Sequence, residues 1–189
     1  MDECASNIAA PAPCIPRPLI IVDLNGVLLL STHKPHLYPR IKPDGAARSK
    51  KVYFRPHSHD FLRYLFATYR VAVWTSNIKA NADAIVALLF TPEQREQLLF
   101  VWAREQCVEG PNYTSFKHLS RIFEQYNDYN MNNVLIVDDS ADKIVGPPQC
   151  HYHIKSWQPL LKQDDELLSL VSCLNTKKWS ETRTPVALQ

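Results

Sequence analysis

The chain has 189 residues, 46% of them hydrophobic and 21% charged, and 21 Lys and Arg against 19 Asp and Glu give a formal charge of +2. A chain of that size buries about 68–70% of its unfolded surface, which with 10% aromatic residues excludes wholesale disorder. No apolar run approaches the roughly 20 residues that span a bilayer, and no basic segment precedes an apolar one at the Met-Asp-Glu start. The expectation is an intracellular protein, cytoplasmic or nuclear, with no secretory signal and no membrane partner.

Residues 1–17 hold Pro11, Pro13 and Pro16 among small residues and read as a disordered N-terminal arm. Leu19-Ile20-Ile21-Val22 is apolar throughout, the mark of a strand buried on both faces of a parallel sheet, and it runs into Asp23-Leu24-Asn25-Gly26. Residues 32–55 carry seven basic side chains (Lys34, Arg40, Lys42, Arg48, Lys50, Lys51 and Arg55) and one acid, Asp44, so this segment is +6 and the remainder −4. Such a stretch suits a phosphorylated ligand or nucleic acid, or is a solvated loop.

Ser58 is the expected N-cap of a helix bearing Phe61, Leu62, Leu65 and Phe66. Val71-Ala72-Val73-Trp74 is a second strand, ending Thr75-Ser76-Asn77. Residues 77–90 then form a helix with Ile78, Ala82, Ile85, Val86 and Leu89 on one face. Leu99-Phe100-Val101-Trp102 gives a further strand. Phe116, Leu119, Ile122 and Phe123 predict another helix, opened by Lys117. Val134-Leu135-Ile136-Val137 is again strand, ending Asp138-Asp139-Ser140. Leu167, Leu168, Val171 and Leu174 predict the last helix, and residues 176–189 a flexible tail. Strands alternating with helices over one domain, residues 18–175, imply an α/β three-layer sandwich around a mostly parallel sheet.

Some chemistry is weak in this pattern. Five cysteines without a C-x-x-C pair fit free thiols. Cys150-His151-Tyr152-His153 holds metal-ligand types, but strand alternation puts both histidines on one face and the cysteine on the other, short of the four ligands of structural zinc. His57-Ser58-His59-Asp60 is no stronger. Four glycines leave no glycine-rich phosphate loop.

In open α/β sheets ligands gather at the carboxyl ends of the strands. There this sequence delivers Asp23, Thr75 and the pair Asp138-Asp139, with Lys117 between the last two. Singly, each has an ordinary reading as a turn cap or a surface charge. Together, three carboxylates at one edge repel unless a cation sits among them, and Mg²⁺ suits an all-oxygen site. A hydroxyl and a lysine beside it suit a phosphoryl group.

Phospho-acceptor receiver domains use the same residue types, but with the acidic pair on an earlier strand than the acceptor. The order found here resembles the haloacid-dehalogenase-type (HAD-like) phosphatase superfamily, with motifs D-x-D-x-[TV], a Ser/Thr, a Lys and a late acidic pair. Phe54-Arg55-Pro56 followed by Asp60-Phe61-Leu62 resembles the R-P-G-x-x-x-F-L of one branch, and Trp74-Thr75-Ser76-Asn77 its F-T-A-S. Arg104-Glu105-Gln106-Cys107-Val108, then Gly110, Asn112, Tyr113 and Lys117-His118-Leu119-Ser120-Arg121, are similar to its R-E-x-C-V…G-x-N-Y…K-D-L-S-R. Val137-Asp138-Asp139-Ser140 is similar to its L-D-N-S. On these motifs the chain resembles the FCP/SCP-type (NLI-interacting factor) C-terminal-domain phosphatases.

That resemblance implies a Rossmann-like sheet with small β insertions and no large cap domain. It implies a phosphorylated protein or peptide as partner, with phosphate passing from serine or threonine to Asp23 as an aspartyl phosphate. Mg²⁺ would be held by Asp23, the Asn25 main-chain carbonyl and Asp139. Thr75, Ser76, Arg104 and Lys117 would meet the substrate, and Asp138 would orient Lys117 or metal-bound water. In the family the residue at position 25 is an aspartate that protonates the leaving oxygen and then activates water; here it is Asn25, and an amide does neither.

Several readings stay open. The chain is a slow phosphatase, or a pseudo-phosphatase that binds phosphopeptides or proteins, or it acts on aryl or acyl phosphates whose leaving group needs no proton. The enzyme-like reading is favoured because Asp23, Thr75, Lys117 and Asp139 are all present. A nucleic-acid partner is not expected, since nothing interleaves aromatic and basic residues as a stacking platform. Asn25-Gly26 is also a pair prone to deamidation, which would turn Asn25 partly into Asp.

Overall fold

The computed structural model describes residues 16–161 and 163–179; residues 1–15 of the expected arm and 180–189 of the expected tail lie outside them. In chain order the elements are β1 (Leu19–Val22), β2 (Leu29–Thr32), β3 (Gly45–Ala47), β4 (Lys50–Phe54), α1 (Ser58–Thr68), β5 (Arg70–Trp74), α2 (Lys79–Leu89) and α3 (Pro92–Gln97). They continue with β6 (Val101–Trp102), β7 (Val108–Glu109), β8 (Ser115–His118), α4 (Ser120–Gln125), β9 (Val134–Asp138), β10 (Ile144–Val145), β11 (His151–His153) and α5 (Glu166–Thr176).

The central sheet has the order β11-β9-β1-β5-β6, and every pairing in it is parallel. Its middle strands are apolar on both faces because both faces are covered. Ile20, Val22, Val71, Val73, Leu135 and Val137 pack into one cluster, with α1, α2 and α5 supplying Phe61, Ile85 and Leu170 among others. The alternate residues Leu19, Ile21, Ala72, Trp74, Val134 and Ile136 pack into a second cluster with Leu119, Ile122 and Trp102. Each fully buried side chain of this size contributes about 1.5–3 kcal/mol. The result is the expected three-layer sandwich. Two small sheets are inserted: the antiparallel β2-β4-β3, and β10-β8-β7. Among the described residues no helix is long and apolar enough to cross a membrane.

Several local expectations change. Ser58 is the first residue of α1, not its cap; the chain turns through His57 at φ 65°, and the Ser58 hydroxyl is buried without a partner among the described residues. The second helix starts at Lys79, and Ile78, expected on its buried face, is exposed. On α5 the buried residues are Leu167, Leu170 and Leu174, while Leu168 is exposed. The strand at Leu99 is reduced to Val101–Trp102. Phe116 and Lys117 belong to strand β8 rather than a helix, which begins only at Ser120. Residues 176–179 carry the end of α5 and the Trp179 ring, which lies 5.8 Å from that of Tyr69. His151 and His153 sit in β11 with ring centroids 6.3 Å apart, and the buried Cys150 thiol turns away to the Met131 carbonyl. The cysteines among the described residues, Cys107, Cys150 and Cys173, are free.

Candidate active site

Strand alternation sets up the site. In β1 and β9, Leu19 and Ile21 face the same side as Val134 and Ile136, so the next residues in that series, Asp23 and Asp138, leave the carboxyl edge on one side. Lys117 reaches them from β8. Its Nζ donates to Asp23 Oδ1 at 2.8 Å and to Asp138 Oδ2 at 2.5 Å, and all three side chains are at least 90% buried. The Ser140 N–H donates to the other Asp138 oxygen, Oδ1, at 2.8 Å. Asp138 is thus held on both sides.

One ammonium meets two carboxylates, and a third, Asp139, follows directly. Burial pushes the Asp23 carboxyl up to about 7; Lys117 pulls it back, and Asp138 and Asp139 raise it further. Burial disfavours the Lys117 ammonium, but Asp23 and Asp138 outweigh this and hold its pKa above the ordinary value. The surplus of negative charge is what a divalent cation would neutralise.

The turn after β1 positions two more residues. Leu28 and Leu29 N–H groups both close on the Leu24 carbonyl, so the turn does not use the Asn25 carbonyl. Gly26 adopts φ 79°, and a Cβ there would overlap the Asp139 carboxylate and the Ser156 hydroxyl, so only glycine lets Asp139 approach the loop. Asn25 Oδ1 accepts from the Ser31 N–H at 2.8 Å and from the Ser31 hydroxyl at 3.0 Å. That leaves the amide Nδ2, a donor only, for the cleft that Asn25 lines.

The same bonds bear on deamidation, which needs the Gly26 nitrogen to attack the Asn25 side-chain carbon. Gly26 N–H is held by the Leu29 carbonyl at 2.8 Å, and the carboxamide is pinned by Ser31. The folded protein is therefore expected to keep Asn25 on storage. Peptide mass spectrometry should find aspartate or isoaspartate at position 25 only after incubation in denaturant; conversion at equal rates in both conditions would count against the restraint.

Thr75 directly follows β5, is buried, and its Oγ1 accepts from the Asn77 N–H at 3.3 Å and the Asn77 amide at 3.1 Å, which leaves its own proton to donate. Ser76, rather than Thr75, lines the cleft. Arg104 is exposed and does not line it; its Nε donates to the Ser76 carbonyl at 2.9 Å, so it fixes the loop carrying Thr75 and Ser76. Lys50, from the basic insertion, touches the same loop at Asn77 Oδ1, 3.5 Å away.

Arg55 corrects the reading of that basic segment. It is 1% exposed and belongs to the interior. Its guanidinium makes a bidentate pair with Asp164, at 2.7 and 2.9 Å, and donates to the Gly26, Val27 and Lys155 carbonyls at 3.0–3.1 Å. Six basic side chains and Asp44 remain outside. Ser31 and Asp164 are residues that sequence reasoning missed, and of Arg55 it missed the buried role. Lys143, Ser156 and Trp157, which also line the cleft, carried no signal either.

Asp23, Asn25, Ser76, Lys117, Asp138 and Asp139 therefore share one cleft. Among the described residues no three His, Cys, Asp or Glu side chains form a metal cluster by themselves. The expected set differs from such a cluster, being two carboxylates and a main-chain carbonyl. Its fit rests on all-oxygen donors, a Cβ-free Gly26 that admits Asp139, and the uncompensated charge around Asp23.

Residues 18–183 match the family model described as NLI interacting factor-like phosphatase. An uncharacterised FCP1 homology domain-containing protein of Schizosaccharomyces pombe is 27% identical over 154 residues, 75% of this chain and 62% of that protein. A putative CTD phosphatase-like protein of Invertebrate iridescent virus 3 is 26% identical over 183 residues, covering 86% and 97%. A probable C-terminal domain small phosphatase of Dictyostelium discoideum is 29% identical over 185 residues, covering 92% and 57%. The chain thus spans about 60% of the length of the first and third of these relatives. In fold, it is similar to the structure of Fcp1, titled an essential RNA polymerase II CTD phosphatase, with a TM-score of 0.56 and 16% identity over 84% of this chain and 49% of that one.

Proposed function

Because the chain belongs to the NLI interacting factor-like phosphatase family and has a HAD-like fold, we propose that it is a Mg²⁺-dependent phosphatase of phosphoserine or phosphothreonine proteins, slowed by Asn25. The observation that carries this reading is the buried contact of Lys117 with both Asp23 and Asp138, side chains from three separate strands or strand ends. A protein that only bound its partner would have no chemical need for a nucleophile and a charge-neutralising lysine in one enclosed pair.

In this reading Asp23 attacks phosphorus through Oδ2, its Oδ1 being bonded to Lys117, and the phosphorus–oxygen bond to the substrate breaks. The electron pair leaves on the serine oxygen, which takes its proton from solvent because Asn25 has none to give. Water then attacks the aspartyl phosphate, phosphate departs, and the Asp23 carboxylate is restored. Lys117 offsets charge on the nucleophile throughout. Asp138 orients Lys117, the Ser76 hydroxyl donates to a phosphoryl oxygen, Thr75 braces the Ser76 loop through Asn77, and Arg104 fixes it from outside. Asp23, Asp139 and the Asn25 carbonyl would hold Mg²⁺, which would offset phosphoryl charge.

The test is hydrolysis of an aryl phosphate with Mg²⁺. Wild type is expected to turn over slowly and Asp23→Asn to fall to background. Activity that survives Asp23→Asn would reject the reading, and inactivity of wild type alongside phosphopeptide binding would favour the pseudo-phosphatase.

A second expectation concerns stability. An Asp23 carboxyl raised to about 7 in the fold from 3.8 means that, between those values, the folded chain binds the extra proton. Without metal, stability therefore falls as pH rises through that window, and the whole penalty stands above it. Adding Mg²⁺ should raise Tm more at pH 8 than at pH 5 in thermal unfolding. Equal rises would mean that the cation does not meet Asp23.

A further inference from the structure

With Mg²⁺ on Asp139, the described residues that line the cleft offer no free base. Of its carboxylates besides Asp23, Asp138 spends Oδ2 on Lys117 and Oδ1 on the Ser140 N–H. Asp139 accepts from the Ser140 hydroxyl at 3.3 Å, lies against Gly26, and is the residue assigned to the metal. Lys117 Nζ donates to both Asp23 and Asp138, and no histidine is among the described residues that line the cleft. His153 is exposed, with Nε2 3.0 Å from the Asp139 carbonyl. Asn25 presents only Nδ2, because Ser31 occupies Oδ1 twice.

These occupancies act unequally on the two chemical steps. Transfer to Asp23 breaks the bond between phosphorus and the leaving oxygen, which departs with the electron pair. An aryl oxide or a carboxylate is stable as that anion and needs no proton, and the Asn25 amide can donate a hydrogen bond to it. The second step needs a proton removed from water as its oxygen bonds to phosphorus and the Asp23 carboxylate leaves. Losing a general base slows such a step by about 10²–10⁴-fold.

We propose that phosphorylated Asp23 is a long-lived state of this protein, so that it takes up phosphoryl groups from aryl and acyl phosphates stoichiometrically and releases them slowly. The proposal rests on the phosphatase reading but is separable from it. The chain then serves as a phosphoryl acceptor whose modified form persists, with Ser31 as the positioning residue that keeps Asn25 in its donor orientation.

The experiment is rapid mixing of the full chain with Mg²⁺ and p-nitrophenyl phosphate. The expected result is a burst of nitrophenolate stoichiometric with protein, then a slow steady phase. Acid-quenched protein should carry a phosphoryl group on the Asp23 peptide, removable by hydroxylamine. In Asn25→Asp the steady phase should accelerate by about 10²–10⁴-fold and the trapped phosphoryl group should disappear. Linear turnover by wild type from the first cycle, abolished by Asp23→Asn, would overturn the long-lived intermediate and leave the phosphatase reading standing. A silent wild type beside an active Asn25→Asp would overturn the long-lived intermediate together with the slow-phosphatase reading and favour the pseudo-phosphatase. No phosphoryl transfer by either protein would remove both.

Discussion

Replacing Arg55 with methionine is expected to destabilise the fold by about 3–5 kcal/mol, the cost of breaking a buried ion pair from one side. Methionine fills much of the stem volume but leaves the Asp164 carboxylate, 4% exposed, without its cation. The carbonyls of Gly26, Val27 and Lys155 lose their donor as well. Equilibrium unfolding in urea measures the loss. The double replacement Arg55→Met with Asp164→Leu should recover part of it, because an apolar pair leaves no charge unmatched. A single-variant loss of only about 1 kcal/mol, the scale of a surface pair, would mean that Arg55 is solvated in solution. Since two of the three carbonyls lie in the turn that carries Asn25, activity should fall along with stability.

Asn25→Asp is expected to raise kcat/KM on a phosphoserine peptide by about 10²–10⁴-fold. The aspartate can keep one oxygen on Ser31 and turn the other, protonated, toward the leaving group. Because kcat/KM reports the first irreversible step, the gain should be much smaller for p-nitrophenyl phosphate, whose leaving group is already a stable anion. Steady-state kinetics on the two substrates supply the comparison. Equal gains would mean that position 25 does not act as an acid on the leaving oxygen, and no gain on either would place it away from that oxygen altogether.

Much of the sheet was legible because each of its three middle strands holds four consecutive apolar residues, a pattern that double-sided burial sustains. Their carboxyl ends then named Asp23, Thr75 and Asp138 directly. Lys117 was legible as a residue but not as a strand residue: Phe116, Leu119, Ile122 and Phe123 mimic helical spacing, while the chain turns between β8 and α4 in their midst. Arg55 was hidden by its neighbours, since a residue at the end of six other cations looks solvated. Its partner, Asp164, is 109 positions away and carries no local sign. Ser31 is six residues beyond Asn25, too far to touch it along either a helix or a strand. Only the turn that leads into β2 brings them together.

Gly26 has an evolutionary corollary. Any larger residue would push against Asp139, so this locus tolerates no drift unless the opposite wall of the crevice shifts in concert. Its neighbour Asn25 is under no such steric lock, and asparagine and aspartate codons differ by one base. A lineage could therefore toggle the acid at position 25 repeatedly, gaining or shedding fast hydrolysis, while the adjoining glycine stays frozen.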